Sequence, residues 1–261
     1  MDVAFLWHMH QPHYLDTIEG VSVMPWARMH ATKGYLDMIW LVEQYPEFRC
    51  TFNLTPVLLT QIEQLANNEI RDLWLQWTTT PADELTPEQK CALLEHHFKA
   101  NWENMIKPYP RYWSLLQKRG MHTTRQQLPE ITTRFDTQEY RDLQVWFHLT
   151  WCGYAACRLH PELADLKQKG GNFTENDKQT LLACQQSILR SLVERYKSAA
   201  ERGQIELSTS PFYHPILPLI YNTDFARRCM PGCRLPSQFS RPEDVRAQLD
   251  LARSLHRKLF S

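Results

Sequence analysis

The residues with most chemical potential close the first apolar run, Val3-Ala4-Phe5-Leu6-Trp7-His8-Met9-His10-Gln11-Pro12. In a strand, residues i and i+2 point to the same face. His8 and His10 therefore face together whatever lies beyond the carboxyl end of that strand, which in α/β folds is where ligands bind. Three uses suit such a pair. A metal ion takes His-x-His on a strand when further ligands join it, and His13, His30 and His214 are available for recruitment. Neutral imidazoles also hydrogen-bond polar ligands such as sugar hydroxyls. Or the rings are simply satisfied by their neighbours at the rim of the fold.

Other candidates lie further along. Glu206 stands inside the apolar stretch Ile205-Glu206-Leu207. A carboxylate in a buried strand is costly unless it is paired or functional. Glu206 either orients a neighbouring His or Arg or acts directly in acid–base chemistry. His214 follows on Thr209-Ser210-Pro211-Phe212-Tyr213-His214-Pro215-Ile216-Leu217-Pro218, a loop stiffened by its prolines. Trp26, Arg28, His30 and Lys33 fall on the first strand–helix connection. There they either form a stacking and hydrogen-bonding wall or pin the loop through Trp26. The pair Cys229-x3-Cys233 has no second pair nearby to complete a metal site.

The elements that must position these residues follow from periodicity and punctuation. Val3–His8 reads as a buried strand, and residues 11–31 as a long loop with Pro12, Gly20 and Pro25. Lys33–Gln44 has helical spacing in Tyr35, Met38, Ile39 and Val42. Arg49–Leu54 predicts a second strand, and Pro56 opens a helix. Residues 69–200 read as mainly helical: Leu73–Trp77, Pro87–Met105, Arg111–Arg119, Leu143–Leu159 and Lys178–Arg202. Gly203 ends the last of these and Ile205–Ser208 predicts a third strand. Ser240-Arg241-Pro242-Glu243 has the pattern of a capping box, with Ser240 as N-cap and a helix running to the apolar Leu259-Phe260. Strand–helix–strand–helix order predicts an α/β fold with parallel strands, in a sheet or barrel, and a helical insertion at about 69–200.

Bulk properties bound the function. The chain has 261 residues, 29 Lys+Arg and 29 Asp+Glu, hence a formal net charge of zero. No basic block is present for phosphate neutralisation, so nucleic acid and anionic membrane surfaces are excluded as main partners. The nine Trp suit core packing or flat sugar-stacking platforms. The seven Cys show no regular pairing, and Asp2 stands where a signal peptide would be basic. Together they predict reduced thiols and a cytoplasmic location. The uncapped apolar ending leads to the expectation of a truncated chain. An incomplete barrel would expose strand edges, so a homodimer is also expected.

His8-Met9-His10-Gln11-Pro12 resembles the first signature region of glycoside hydrolase family 57. Gly203-Gln204-Ile205-Glu206-Leu207-Ser208-Thr209-Ser210-Pro211 through His214-Pro215-Ile216-Leu217-Pro218 resembles the second. Pro25-Trp26-Ala27-Arg28-Met29-His30 and Phe52-Asn53-Leu54-Thr55-Pro56 look like the segments between. The resemblance implies a partial (β/α)7-type barrel from a retaining α-amylase-like hydrolase or glucanotransferase acting on an α-glucan or maltooligosaccharide. It implies no cofactor and no catalytic metal. The substrate-binding residues it implies are His8, His10, Gln11, Glu206 and His214, to which Trp26 is added as a stacking candidate. The family's nucleophile and acid/base regions have no counterpart in these residues. The expectation is therefore a portion that is inactive alone and works with a complementary C-terminal chain. Two alternatives remain: a non-catalytic carbohydrate-binding or scaffold protein, and a metal-dependent sugar deacetylase- or mannosidase-like enzyme. The lack of an aspartate around His8 and His10 counts against the last.

Overall fold

A computed structural model describes residues 3–261. The described residues form two compact units: residues 3–13, 42–63 and 193–261, and residues 14–41 and 64–192.

The first unit is built on a parallel sheet. β1 (Leu6–Met9), β4 (Cys50–Leu54) and β6 (Ile205–Ser208) pair in the order β1-β4-β6, so β4 is central. The register aligns His8 with Asn53 and Asn53 with Ser208; one step earlier on that face, Leu6 aligns with Thr51 and Thr51 with Glu206. Strand alternation divides the sheet. Met9, Phe52, Leu54 and Ile205 form the buried face. Tyr196 packs edge-on against Phe52, ring centroids 5.1 Å apart, and its hydroxyl lies 3.4 Å from Met9 Sδ. The other face carries His8, Asn53, Ser208 and Glu206.

The α/β class and the three strands match expectation, with one correction. Val3–His8 is not a buried strand: Val3 is 63% exposed and Leu6 63%, and only Met9 at the strand's end is covered. β1 lies at the sheet's edge, and the apolar run Val3–Trp7 is exposed throughout. The three strands form an open sheet among the described residues.

The helix Glu175–Glu201 ends as expected. Gly203 takes φ +68°, Gln204 N–H donates to Ala199 O, and Gly203 N–H donates to Ala200 O. This paired closure satisfies two orphan carbonyls and turns the chain into β6. The capping box at Ser240 does not form. The helix Pro242–Phe260 has Arg241 at its N-cap without a side-chain cap, and Ser240 Oγ donates instead to Tyr221 O. A nearby carbonyl that lacks a donor outcompetes the local motif.

The second unit is mostly helical. It also holds β2 (Leu15–Asp16), β3 (Val21–Ser22) and β5 (Arg71–Asp72), joined in a small sheet. Residues 11–31 are thus not one loop; they include β2, β3 and the helix Trp26–His30. The helix Thr137–Thr150 is buried on nearly every side, so its polar residues need internal partners. Asp142 accepts from Arg111 Nε at 2.7 Å, Gln144 donates to Trp77 O at 2.8 Å, and His148 bonds Gln185 and Thr78.

The apolar run 143–159 is broken into two helices, with Gly153 as the N-cap of Tyr154–Leu159. Asp37 is the cause: its carboxylate accepts from Ala155 N–H at 2.7 Å, and a Cβ on Gly153 would overlap that carboxylate. Gly153→Ala is expected to cost about 1–3 kcal/mol through this overlap. Urea unfolding measures it, and an unchanged midpoint would refute the account.

Among the described residues no helix is long and apolar enough to cross a membrane. All seven cysteines are free.

Candidate functional site

Because β1, β4 and β6 are parallel, their carboxyl ends share one edge, and the segments after Met9, Leu54 and Ser208 leave from it. His8 sits on β1, His10 just after it, and His214 on the loop beyond β6. Their rings converge. The centroids of His8 and His214 are 4.8 Å apart, those of His10 and His214 4.7 Å, and those of His8 and His10 6.0 Å. Burial, aided by the adjacent His214 and His8 imidazoles, pulls His10 below the usual imidazole value. Gln11 follows, half-buried.

The loop that brings His214 in is held at several points. His214 N–H donates to Pro211 O at 2.8 Å, Tyr213 N–H to Gln248 Oε1 at 2.8 Å, and Val57 N–H to Phe212 O at 3.1 Å. His13 packs edge-on to Tyr213 with centroids 5.5 Å apart. His214 itself has φ +55°. Among the described residues the other non-glycine positions at positive φ are Asn68 and Asn172, and histidine shares with asparagine an above-average tolerance of it.

Asn53 underlies this arrangement, and sequence alone does not single it out as a site residue. His8 Nδ1 lies 2.7 Å from Asn53 Oδ1, which also accepts from Ser210 Oγ at 2.8 Å, while Asn53 Nδ2 donates to Ser208 Oγ at 3.1 Å. With Oδ1 as acceptor, His8 Nδ1 is the donor of this bond. The available signal was composition: asparagine is uncommon in central strands.

Glu206 differs from expectation. It is exposed and accepts from Thr51 Oγ1 at 3.2 Å. The cost of a buried carboxylate does not arise, because β6 turns this face outward. Glu206 shares the face of His8 but sits one alternate step back, about 7 Å along the strand. Among the described residues no carboxylate joins the three histidines within ligand reach of one another. A cavity of about 740 Å³ opens between Ser210, Pro211, Tyr221 and the helix residues Val245, Leu249 and Arg253, but the histidines do not line it.

The residues assigned to a loop wall belong to the second unit and are packed there. Trp26 lies with centroids 5.6 Å from Trp74 and 5.7 Å from Trp151, beside the core of Met29, Trp74 and Phe147. Arg28 is buried in an ion pair with Asp72 at 2.8 Å. His30 packs on Trp151, and Lys33 Nζ donates to Thr150 O at 3.4 Å. These contacts are those of a helix pinned by packing.

The profile of glycosyl hydrolase family 57 matches residues 4–261, and the chain belongs to that family. No curated protein matches the sequence. Among solved structures, the chain is similar to the crystal structure of the novel alpha-amylase AmyC from Thermotoga maritima. The identity is 16% and the TM-score 0.39, over 98% of this chain and 33% of that one. The chain thus spans about a third of the length of that structure.

Proposed function

We propose that this chain supplies a sugar-contacting wall for an α-glucan-active retaining glycosidase or glucanotransferase of (β/α)-barrel type. His8, His10, Gln11 and His214 are the hydrogen-bonding residues of that wall, and Glu206 flanks them. The observation that carries this reading is the convergence of three imidazoles at the carboxyl edge of a parallel sheet, in a chain of family 57. Neutral imidazoles offer one donor and one acceptor each, which suits the alternating polarity of sugar hydroxyls. Retaining hydrolysis needs two carboxyl groups about 5–5.5 Å apart. Since no described carboxylate joins the histidines, the nucleophile and acid/base are proposed to come from outside these residues, in a complementary chain or segment. Trp26 is left out of the wall, since its packing accounts for it.

The test is a titration of the 261-residue protein with maltooligosaccharides, followed by calorimetry and a reducing-sugar assay. Binding without turnover is expected. Loss of one hydrogen bond in His214→Ala is expected to weaken binding about tenfold. Turnover by this chain alone, or no binding at millimolar sugar, would overturn the reading.

A further inference from the structure

We infer that His160, Glu162 and Cys184, a group within the helical unit, form a binding site for a divalent transition-metal ion of the zinc type, with a fourth position open to water. One donor atom from each residue lies within 4.8 Å of the others: an imidazole nitrogen, a carboxylate oxygen and the thiol sulfur. A tetrahedral ion with Zn–N and Zn–O distances of about 2.0–2.2 Å and Zn–S of about 2.3 Å needs these atoms about 3.3–3.6 Å apart. Rotation of the His160 ring and of the exposed Glu162 side chain closes that difference.

Local structure places the three donors. The helices Tyr154–Leu159 and Pro161–Lys169 meet at His160, which caps the end of the first and the start of the second. Pro161 biases its predecessor toward extended backbone, and His160 takes φ −130° and ψ 88°. Its N–H donates to Ala156 O at 2.9 Å and its carbonyl accepts from Leu163 N–H at 3.0 Å, so the corner that carries the ring is fixed. Glu162 follows in the first turn of the second helix. Residues 170–174 join that helix to Glu175–Glu201. Glu162 stands about 10 Å before this connection and Cys184 about 13 Å beyond it, at about 1.5 Å of rise per residue, so comparable heights face each other. The rotation of the long helix is set as well. Leu181 and Ile188, one turn to either side of Cys184, are buried, and the adjacent Gln185 Oε1 lies 2.9 Å from His148 Nδ1.

Two further observations point to a cation. The donors are uncommitted: among the described residues Glu162 enters no ion pair, the His160 ring has no hydrogen-bond partner, and Cys184 is in no disulfide. The charges also balance. A thiolate, a carboxylate and a neutral imidazole bring two negative charges to a divalent ion, so the loaded site is neutral and the buried Cys184 sulfur strands no charge. The mixture of sulfur, nitrogen and oxygen selects zinc over calcium or magnesium, which take oxygen. A bound ion ties the corner at His160 to the long helix and so stabilises the helical unit. The inference does not rest on the glucan reading, and its test uses the metal alone.

The experiment is titration of the metal-stripped protein with Co²⁺ by absorption, with Zn²⁺ competition and thermal unfolding. It is repeated with Cys229→Ser and Cys233→Ser together, which removes a competing cysteine pair. Expected in both are one cobalt site of micromolar or tighter affinity with a thiolate charge-transfer band, displacement of that band by Zn²⁺, and a raised Tm on addition of Zn²⁺. His8, His10 and His214 include no thiol, so the band does not report on them. Cys184→Ser and His160→Ala are each expected to abolish the band and the Tm shift while leaving the far-ultraviolet dichroism unchanged. Glu162 is exposed, so Glu162→Gln spares the fold. It is expected to weaken binding about tenfold or more, since even residues that only support a ligand are worth about 10–100-fold. No thiolate band in the unaltered protein, a band that survives Cys184→Ser or His160→Ala, or unchanged affinity in Glu162→Gln would each overturn the inference.

Discussion

Asp72→Ala is expected to cost about 4 kcal/mol or more of stability in the helical unit, among the largest losses available from a single substitution. Asp72 has two tasks. Its Oδ2 accepts from Arg28 Nε at 2.8 Å, and both side chains are almost fully buried, at 3% and 2% exposure. Its Oδ1 accepts from Trp74 N–H and Leu75 N–H, both at 3.1 Å, and so caps the helix Leu73–Thr79. Removing one member of a buried pair leaves the other as an uncompensated charge, at about 3–5 kcal/mol. Losing an N-cap adds about 1 kcal/mol. Asp72→Asn separates the two, because it keeps an acceptor for the cap and abolishes the charge. The double variant Arg28→Met with Asp72→Leu is expected to recover most of the loss, since an apolar pair has no charge to strand. Urea unfolding followed by tryptophan fluorescence reads the unit directly, as Trp74 is in its core. A loss below about 1 kcal/mol in Asp72→Ala would contradict the assignment.

The second large effect is a loss of stability on mild acidification. Thr78 Oγ1 lies 2.9 Å from His97 Nε2 and 2.9 Å from His148 Nε2, while His148 Nδ1 lies 2.9 Å from Gln185 Oε1. The amide oxygen accepts, so His148 donates through Nδ1, while the single Thr78 O–H also has Trp74 O as an acceptor at 3.1 Å. What disfavours the charged imidazoles here is their burial. Burial pushes His148 down to about 4, and it lowers His97 well below its ordinary value, with the His148 imidazole adding to the effect. In the unfolded chain both titrate near 6.5. Between about pH 6.5 and 4 the unfolded state therefore binds protons that the folded state refuses, so stability falls as pH falls through this window. The full contribution of His148 is about 3 kcal/mol, from its lowering to about 4 at roughly 1.4 kcal/mol per pH unit. Comparison at pH 7 and pH 5 captures about 2 kcal/mol of it before most carboxylates titrate. His148→Gln is expected to flatten the slope over that interval. Equal stability at the two pH values in the unaltered protein would refute the network's protonation.

What sequence could and could not reveal divides by distance along the chain. β6 was legible to the residue, because Gly203 stops the preceding helix and an alternating segment follows. The histidine pair was legible because period two is a local property of a strand. That His214 would join it followed only once parallel strands were assumed. Asn53 was not legible as a site residue, since its role depends on the β1–β4 register across 45 positions. The break at Gly153 depends on Asp37, and the buried Arg28 depends on Asp72. Trp26–His30 is too short to announce itself as a helix, and it exists by packing on Trp74 and Trp151. The error at Ser240 was of another kind: the motif was present, but a carbonyl at Tyr221 took its hydroxyl.

The left-handed backbone at residue 214 sets a conflict between robustness and use. Glycine alone would sit there without any Cβ penalty. That replacement would also remove the third imidazole. The backbone that suits glycine best is thus the one that carries a side chain into the cluster, and local ease at residue 214 would be gained only by dismantling the site.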